Sequence, residues 1–173
     1  DRASAHTAER LIGSVVGASS ARAIMHSAIS GQGMGFADVA QMLDASGQSL
    51  HFSQGLLAAT QALAVQAAGT LGNRQGKIQH AGSDTLTLSA QTLDNTGGQI
   101  STNGAASITA PTLINQGGSL SAVGAFSITA ATLLDNSAQG QIASGQTLQL
   151  KGGQVDNTRG QLAAQTHIVI EAA

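Results

Sequence analysis

Asparagines at positions 73, 95, 115, 136 and 157 stand 22, 20, 21 and 21 residues apart, and each closes the same phrase. In that phrase an aliphatic residue is followed eight places later by a second, five further on by a third, and two beyond that by the asparagine. Ile100, Ile108, Leu113 and Asn115 set the spacing, and Ile142, Leu150, Val155 and Asn157 restate it. Ile78, Leu88, Leu93 and Asn95 carry two extra residues in the first gap. Leu120 and Ile128 match next, with Leu133 and Asn136 following after one inserted residue. Leu57, Val65, Leu71 and Asn73 make a looser copy, and Leu162 with Ile170 open a last one. A period of this length means one supersecondary unit stacked on itself several times.

The short-range pattern decides what that unit is. Thr85-Leu86-Thr87-Leu88, Ser127-Ile128-Thr129 and Thr147-Leu148-Gln149-Leu150 alternate polar with apolar, the two-residue period of a strand with one buried face. Ser, Thr, Asn and Gly between these runs disfavour helix and favour turns. Each repeat therefore supplies three short strands. Winding one repeat per turn, as a right- or left-handed coil, pairs equivalent strands in parallel. The expected fold class is mainly β, a parallel β-helix preceded by a small α-helical segment. Five or six turns at about 4.8 Å each make a rod about 25–30 Å long.

Two inward core rows follow: Ile78, Ile100, Leu120, Ile142 and Leu162, and Leu88, Ile108, Ile128, Leu150 and Ile170. A third, Leu86, Ala106, Phe126, Leu148 and Ile168, alternates large and small. The asparagines are expected to stack as an internal amide ladder at about 1 kcal/mol per bond. Composition agrees with a thin interior. Aromatics make up 2% of the 173 residues, and Trp, Tyr and Cys are absent; a broad core needs large side chains to span it. The 42% hydrophobic content separates the chain from charged disordered sequences. One turn alone buries too little to offset its ordering entropy, so repetition is obligatory.

Before residue 55 the period is helical. Ala8, Leu11, Ile12, Val15 and Val16 share a helix face; Ala23, Ile24, Ala28 and Ile29 form a second stripe; Phe36, Val39, Met42 and Leu43 form a third. Gly31, Gly33 and Gly35 separate the last two as a flexible break. The expected division is short amphipathic helices over 1–54 and repeats over 55–173.

The phrases Leu93-Asp94-Asn95-Thr96-Gly97-Gly98-Gln99-Ile100, Leu113-Ile114-Asn115-Gln116-Gly117-Gly118 and Val155-Asp156-Asn157-Thr158-Arg159-Gly160 resemble the repeats of filamentous haemagglutinins, large exported proteins of Gram-negative bacteria that include contact-dependent growth-inhibition adhesins. The resemblance covers about residues 57 to 173. It implies a secreted β-helical shaft at the cell surface that holds binding or toxin modules away from the cell. Its implied partners are an outer-membrane transporter during two-partner export, and receptors or glycans on host or neighbouring cells. Zero cysteines suit passage of an unfolded chain. The segment Glu9 to Arg22, with Val39 to Asp44 and Phe52-Ser53-Gln54, is similar instead to the helical connector of bacterial hybrid sensor histidine kinases. No phosphoacceptor-histidine or ATP-binding region accompanies it, so kinase activity is not implied.

Little else in the chain points to chemistry. Lys and Arg total seven, thinly spread at a net charge of -2, which is unlike a nucleic-acid-binding face. No apolar stretch reaches the length of a membrane span, and no secretory signal opens the chain. The histidines at 6, 26, 51, 80 and 167 lack metal-site spacing, so no metal or cofactor is expected. Gly31-Gln32-Gly33-Met34-Gly35 lacks the strand and the Lys-Ser/Thr of a phosphate loop. Asp94, Asp135 and Asp156 form the one acidic row. Asp135 and Asp156 on adjacent turns would stand about 5 Å apart, a glycosidase-like separation, although Asp-Asn is also ordinary turn chemistry. Thr87, Ser107 and Ser127 line an outward row suited to weak glycan or ice contacts, or simply to water.

The expected function is therefore a non-enzymatic shaft segment of a secreted surface adhesin. The alternatives are a signalling connector fused to repeats and, third, a β-helical polysaccharide-degrading enzyme. The last turn, Leu162 to Ala173, leaves an unpaired edge, so the parent chain is expected to continue and this chain to self-associate.

Overall fold

The computed structural model describes residues 49–172, which contain strands and turns and no helix. The helical stripes expected over residues 8–43 and the Gly31–Gly35 break lie outside the described residues. Six turns follow one another, each contributing three strands. The first turn holds β1 (Leu50–His51), β2 (Leu56–Ala59) and β3 (Ala64–Gln66); the second holds β4 (Thr70–Gly72), β5 (Lys77–His80) and β6 (Leu86–Ser89). The third consists of β7 (Thr92–Asp94), β8 (Gln99–Thr102) and β9 (Ala106–Thr109), the fourth of β10 (Thr112–Ile114), β11 (Ser119–Ala122) and β12 (Phe126–Ala130). The fifth consists of β13 (Leu133–Asp135), β14 (Gln141–Ser144) and β15 (Leu148–Gly152), the sixth of β16 (Val155–Asp156), β17 (Gln161–Ala164) and β18 (Ile168–Ala172). Every third strand pairs, all in parallel, so the solenoid is walled by three six-stranded sheets.

Pairing registers stack the repeat positions over one another. Ile78 pairs with Ile100, Ile100 with Leu120, Leu120 with Ile142 and Ile142 with Leu162. Leu88, Ile108, Ile128, Leu150 and Ile170 stack likewise. All are buried except in the sixth turn, where Leu162 is half-buried and Ile170 is 52% exposed. The alternating row behaves the same way: Leu86, Ala106, Phe126 and Leu148 are buried, and Ile168 is 44% exposed. Parallel strands buried on one face keep their alternation because, among the described residues, no helix layer covers the other.

Two expectations need correction. The third aliphatic place of the fourth repeat is Leu134, not Leu133: Leu113 pairs with Leu134, which is fully buried, while Leu133 pairs with Thr112 on the outer side. The extra residue falls before the aliphatic position, in the corner between β12 and β13, so Asn136 keeps its place two beyond the core residue. The second correction concerns the boundary at 55. Strand pairing already runs at Leu50, opposite Leu71, and Phe52 is buried in the core. Residues 50–54 thus belong to the solenoid.

Candidate functional site

The asparagine row is the most ordered polar feature of the solenoid. Asn73 Nδ2 donates to Asn95 Oδ1 at 2.8 Å, and Asn95 to Asn115, Asn115 to Asn136 and Asn136 to Asn157 each at 2.7 Å. In the second to fifth turns Nδ2 also meets the glycine carbonyl closing its own turn, Gly76, Gly98, Gly118 or Gly140. It reaches a strand carbonyl of the next turn too, Ser119 from Asn95 and Gln141 from Asn115. Asn73, Asn95, Asn115 and Asn136 are completely buried, so these bonds offset what would otherwise be a costly burial of amides.

The turn after each asparagine explains the rest of the phrase. Gly98 N–H donates to the Asn95 carbonyl, closing a four-residue turn whose third residue takes positive φ. Gly97 occupies that place at φ 62°, and Gln75, Gly117 and Arg159 take it in other turns. The Asn136 corner is one residue longer, closes from Gly140 N–H to the Ser137 carbonyl, and holds both Ala138 and Gln139 at positive φ. The fourth residue, Gly98, has a different reason to be glycine. A Cβ there would run into the Asn73 carbonyl oxygen of the turn below and the Asn95 amide oxygen.

The acidic row caps these turns. Asp94 Oδ1 accepts from Thr96 N–H at 3.0 Å and from the Thr96 hydroxyl at 2.6 Å. Asp135 Oδ1 accepts from Ser137 N–H at 3.0 Å, and Asp156 Oδ1 from Thr158 N–H at 2.8 Å. Arg74 pairs with Asp94 at 3.3 Å, and Gln116 Nε2 donates to Asp135 Oδ2 at 2.7 Å. Burial pushes the Asp135 carboxyl up, but hydrogen bonds from the Ser137 hydroxyl and N–H and the Gln116 amide outweigh it. The group is held below the usual carboxylate range. Asp135 and Asp156 do face each other across adjacent strands. A glycosidase acid needs the opposite shift, and the oxygens are already engaged as turn acceptors.

Three successive matches to the haemagglutinin repeat model cover residues 32–97, 81–142 and 122–173. The chain belongs to the haemagglutinin repeat family. The first match reaches back to residue 32, into the segment expected from its period to be helical. Comparison with curated proteins and with solved structures returned no match. The repeat family and the solenoid together fit the shaft of a filamentous haemagglutinin-like adhesin.

Two features of this haemagglutinin-repeat solenoid escaped the sequence reading. Phe52 occupies the ladder position of the first turn: its N–H donates to Gly72 O just as Asn73 N–H donates to Asp94 O. Its ring offers no amide, which leaves Asn73 Oδ1 without a partner among the described residues. The signal was present, because Phe52-Ser53-Gln54-Gly55 lies 21 residues before Asn73-Arg74-Gln75-Gly76. The other is His80, which is buried and places Nδ1 2.8 Å from Thr102 Oγ1, while Nε2 has no partner among the described residues. His80 underlies a half-open hollow of about 350 Å³ lined also by Ala58, Ala59, Thr60, Gln79, Ala81, Ser101 and Asn103. Of the remaining histidines, His51 and His167 are exposed, and His6 and His26 lie outside the described residues. Among the described residues no three His, Asp or Glu side chains gather as a metal site. Thr87, Ser107 and Ser127 stand in register on the outer face of one sheet.

Proposed function

We propose that this chain is a shaft segment of a secreted bacterial surface adhesin, exported through a two-partner route and holding adhesive or toxic modules away from the cell. The observation that carries the reading is the unbroken amide ladder joining five turns of a haemagglutinin-repeat solenoid. Bending the rod would pull apart buried hydrogen bonds that water cannot replace, so stacking resists flexure. Outward Ser, Thr and Gln keep the surface wet. The absence of cysteine from the chain means no disulfide locks it before passage through an outer-membrane transporter. Receptors or glycans on host or neighbouring cells are the expected targets of the whole assembly.

Placing residues 1–173 behind a two-partner export signal, with its transporter co-expressed, tests this reading. Protease added to intact cells should then digest the rod, and retention behind the outer membrane would overturn the export claim.

A further inference from the structure

Six asparagines occur in the chain: five form the ladder and the sixth, Asn103, does not. Asn103 alone precedes glycine; Arg74, Thr96, Gln116, Ser137 and Thr158 follow the others. Asparagine is thermolabile because the backbone nitrogen of the following residue can attack its side-chain amide carbon, and a following glycine hinders that attack least. We infer that Asn103 is a spontaneous modification site, deamidating to aspartate and isoaspartate, while the turn architecture shields the ladder asparagines from the same reaction.

The reaction is self-contained apart from water. Gly104 N forms a bond to Asn103 Cγ, the amide nitrogen leaves as ammonia with the Gly104 proton, and a five-membered imide results. Water opens that ring at either carbonyl, giving aspartate or the isoaspartyl linkage.

Geometry sorts the sites. Asn103 is exposed at the corner between β8 and β9, its Nδ2 held among the described residues only by Ala81 O at 3.2 Å. The Gly104 N–H that must lose its proton donates to the Thr102 hydroxyl at 3.0 Å, a neutral acceptor that also lies 2.8 Å from His80 Nδ1. In the ladder the equivalent N–H is captured by a carboxylate: Thr96 by Asp94, Ser137 by Asp135 and Thr158 by Asp156. Asn73 and Asn115 lack that acid, being preceded by Gly72 and Ile114, yet their amides are buried and bonded along the ladder. Reaction there first requires the turn to open. The acidic row thus protects the ladder as well as capping it.

The consequence is local. From Asn95 to Leu134 the chain has no ionisable side chain, so deamidation introduces a charge into an uncharged band and faces a carboxylate toward Ala81 O at the rim of the hollow. An isoaspartyl link lengthens the backbone between Thr102 and Gly104, whose carbonyls accept from Val123 and Gly124 of the next turn.

Incubating the folded chain at mildly alkaline pH, then mapping peptides by mass spectrometry, tests the inference. The Asn103 peptide should gain about 1 Da, –NH2 becoming –OH, with an isoaspartyl fraction. Its rate should be about ten or more times that of any ladder asparagine, because the latter need local opening. In guanidinium that gap should narrow, and Asn103→Gln should remove the acidic species seen on native isoelectric focusing. The inference is overturned if a ladder asparagine reacts first in folded protein, or if Asn103→Gln accumulates acidic species at the wild-type rate.

Discussion

Asn115 is bonded on both sides, donating to Asn136 and accepting from Asn95. Asn115→Ala leaves Asn136 Oδ1 buried without its donor and takes one of three acceptors from Asn95 Nδ2, which keeps the Gly98 and Ser119 carbonyls, so it should cost about 3 kcal/mol in urea denaturation. The two glycines of the Asn95 turn separate two physical demands that sequence alone merges. Gly97→Ala meets only an ordinary contact with the Gln75 side chain and the positive-φ penalty, about 1 kcal/mol, whereas Gly98→Ala drives a methyl into the Asn73 carbonyl and should cost much more. A shift in urea midpoint that is equal for both would contradict this account. Asp135 gives a pH signature. Its folded pKa is lowered, so its contribution is present above the ordinary carboxylate pKa and lost as pH falls through the folded value. Asp135→Ala should be less stable than wild type at neutral pH, with the difference shrinking on acidification below the carboxylate range.

At the level of rows and strands, what matters is that neighbours in a row share one narrow space. Phe126 stands between Ala106 and Leu148, so a large residue is accommodated by a small one next to it. Phe126→Ala should cost about 3–5 kcal/mol by leaving a cavity. The pair Ala106→Leu with Phe126→Leu should cost less than the sum of its parts, because the two sites couple through the same volume; strict additivity would refute the row. This alternation was visible in the sequence once the repeat was aligned. The corner insertions were harder to read. The extra residue between β12 and β13 moves the core place from Leu133 to Leu134, and two adjacent leucines carry equal hydrophobicity. Only strand pairing chooses between them.

Across the whole rod, stability is a sum over neighbours, so the two kinds of end matter. Among the described residues β16, β17 and β18 pair on one side only, and Ile168, Val169 and Ile170 there are between 39 and 52% exposed. Amides in β16 to β18 should exchange with deuterium fastest and those in β8 to β12 slowest. The chain should also self-associate with rising concentration, and Ile170→Lys should suppress it in light scattering; a clean monomer at high concentration would contradict that expectation.

The periodic spacing alone determined the parallel β-solenoid, its aliphatic rows and the asparagine column, since a solenoid repeats one local environment and writes it into the chain at a fixed interval. Features without a period needed the fold. Phe52 breaks the asparagine pattern, so the period alone does not reach it, although its backbone pairing with Gly72 continues the solenoid. His80 looked like a scattered histidine until stacking buried it beneath Thr102. The roles of the aspartates were likewise set by the turns, because whether a carboxylate serves as acid, ligand or cap depends on which N–H groups the backbone aims at it.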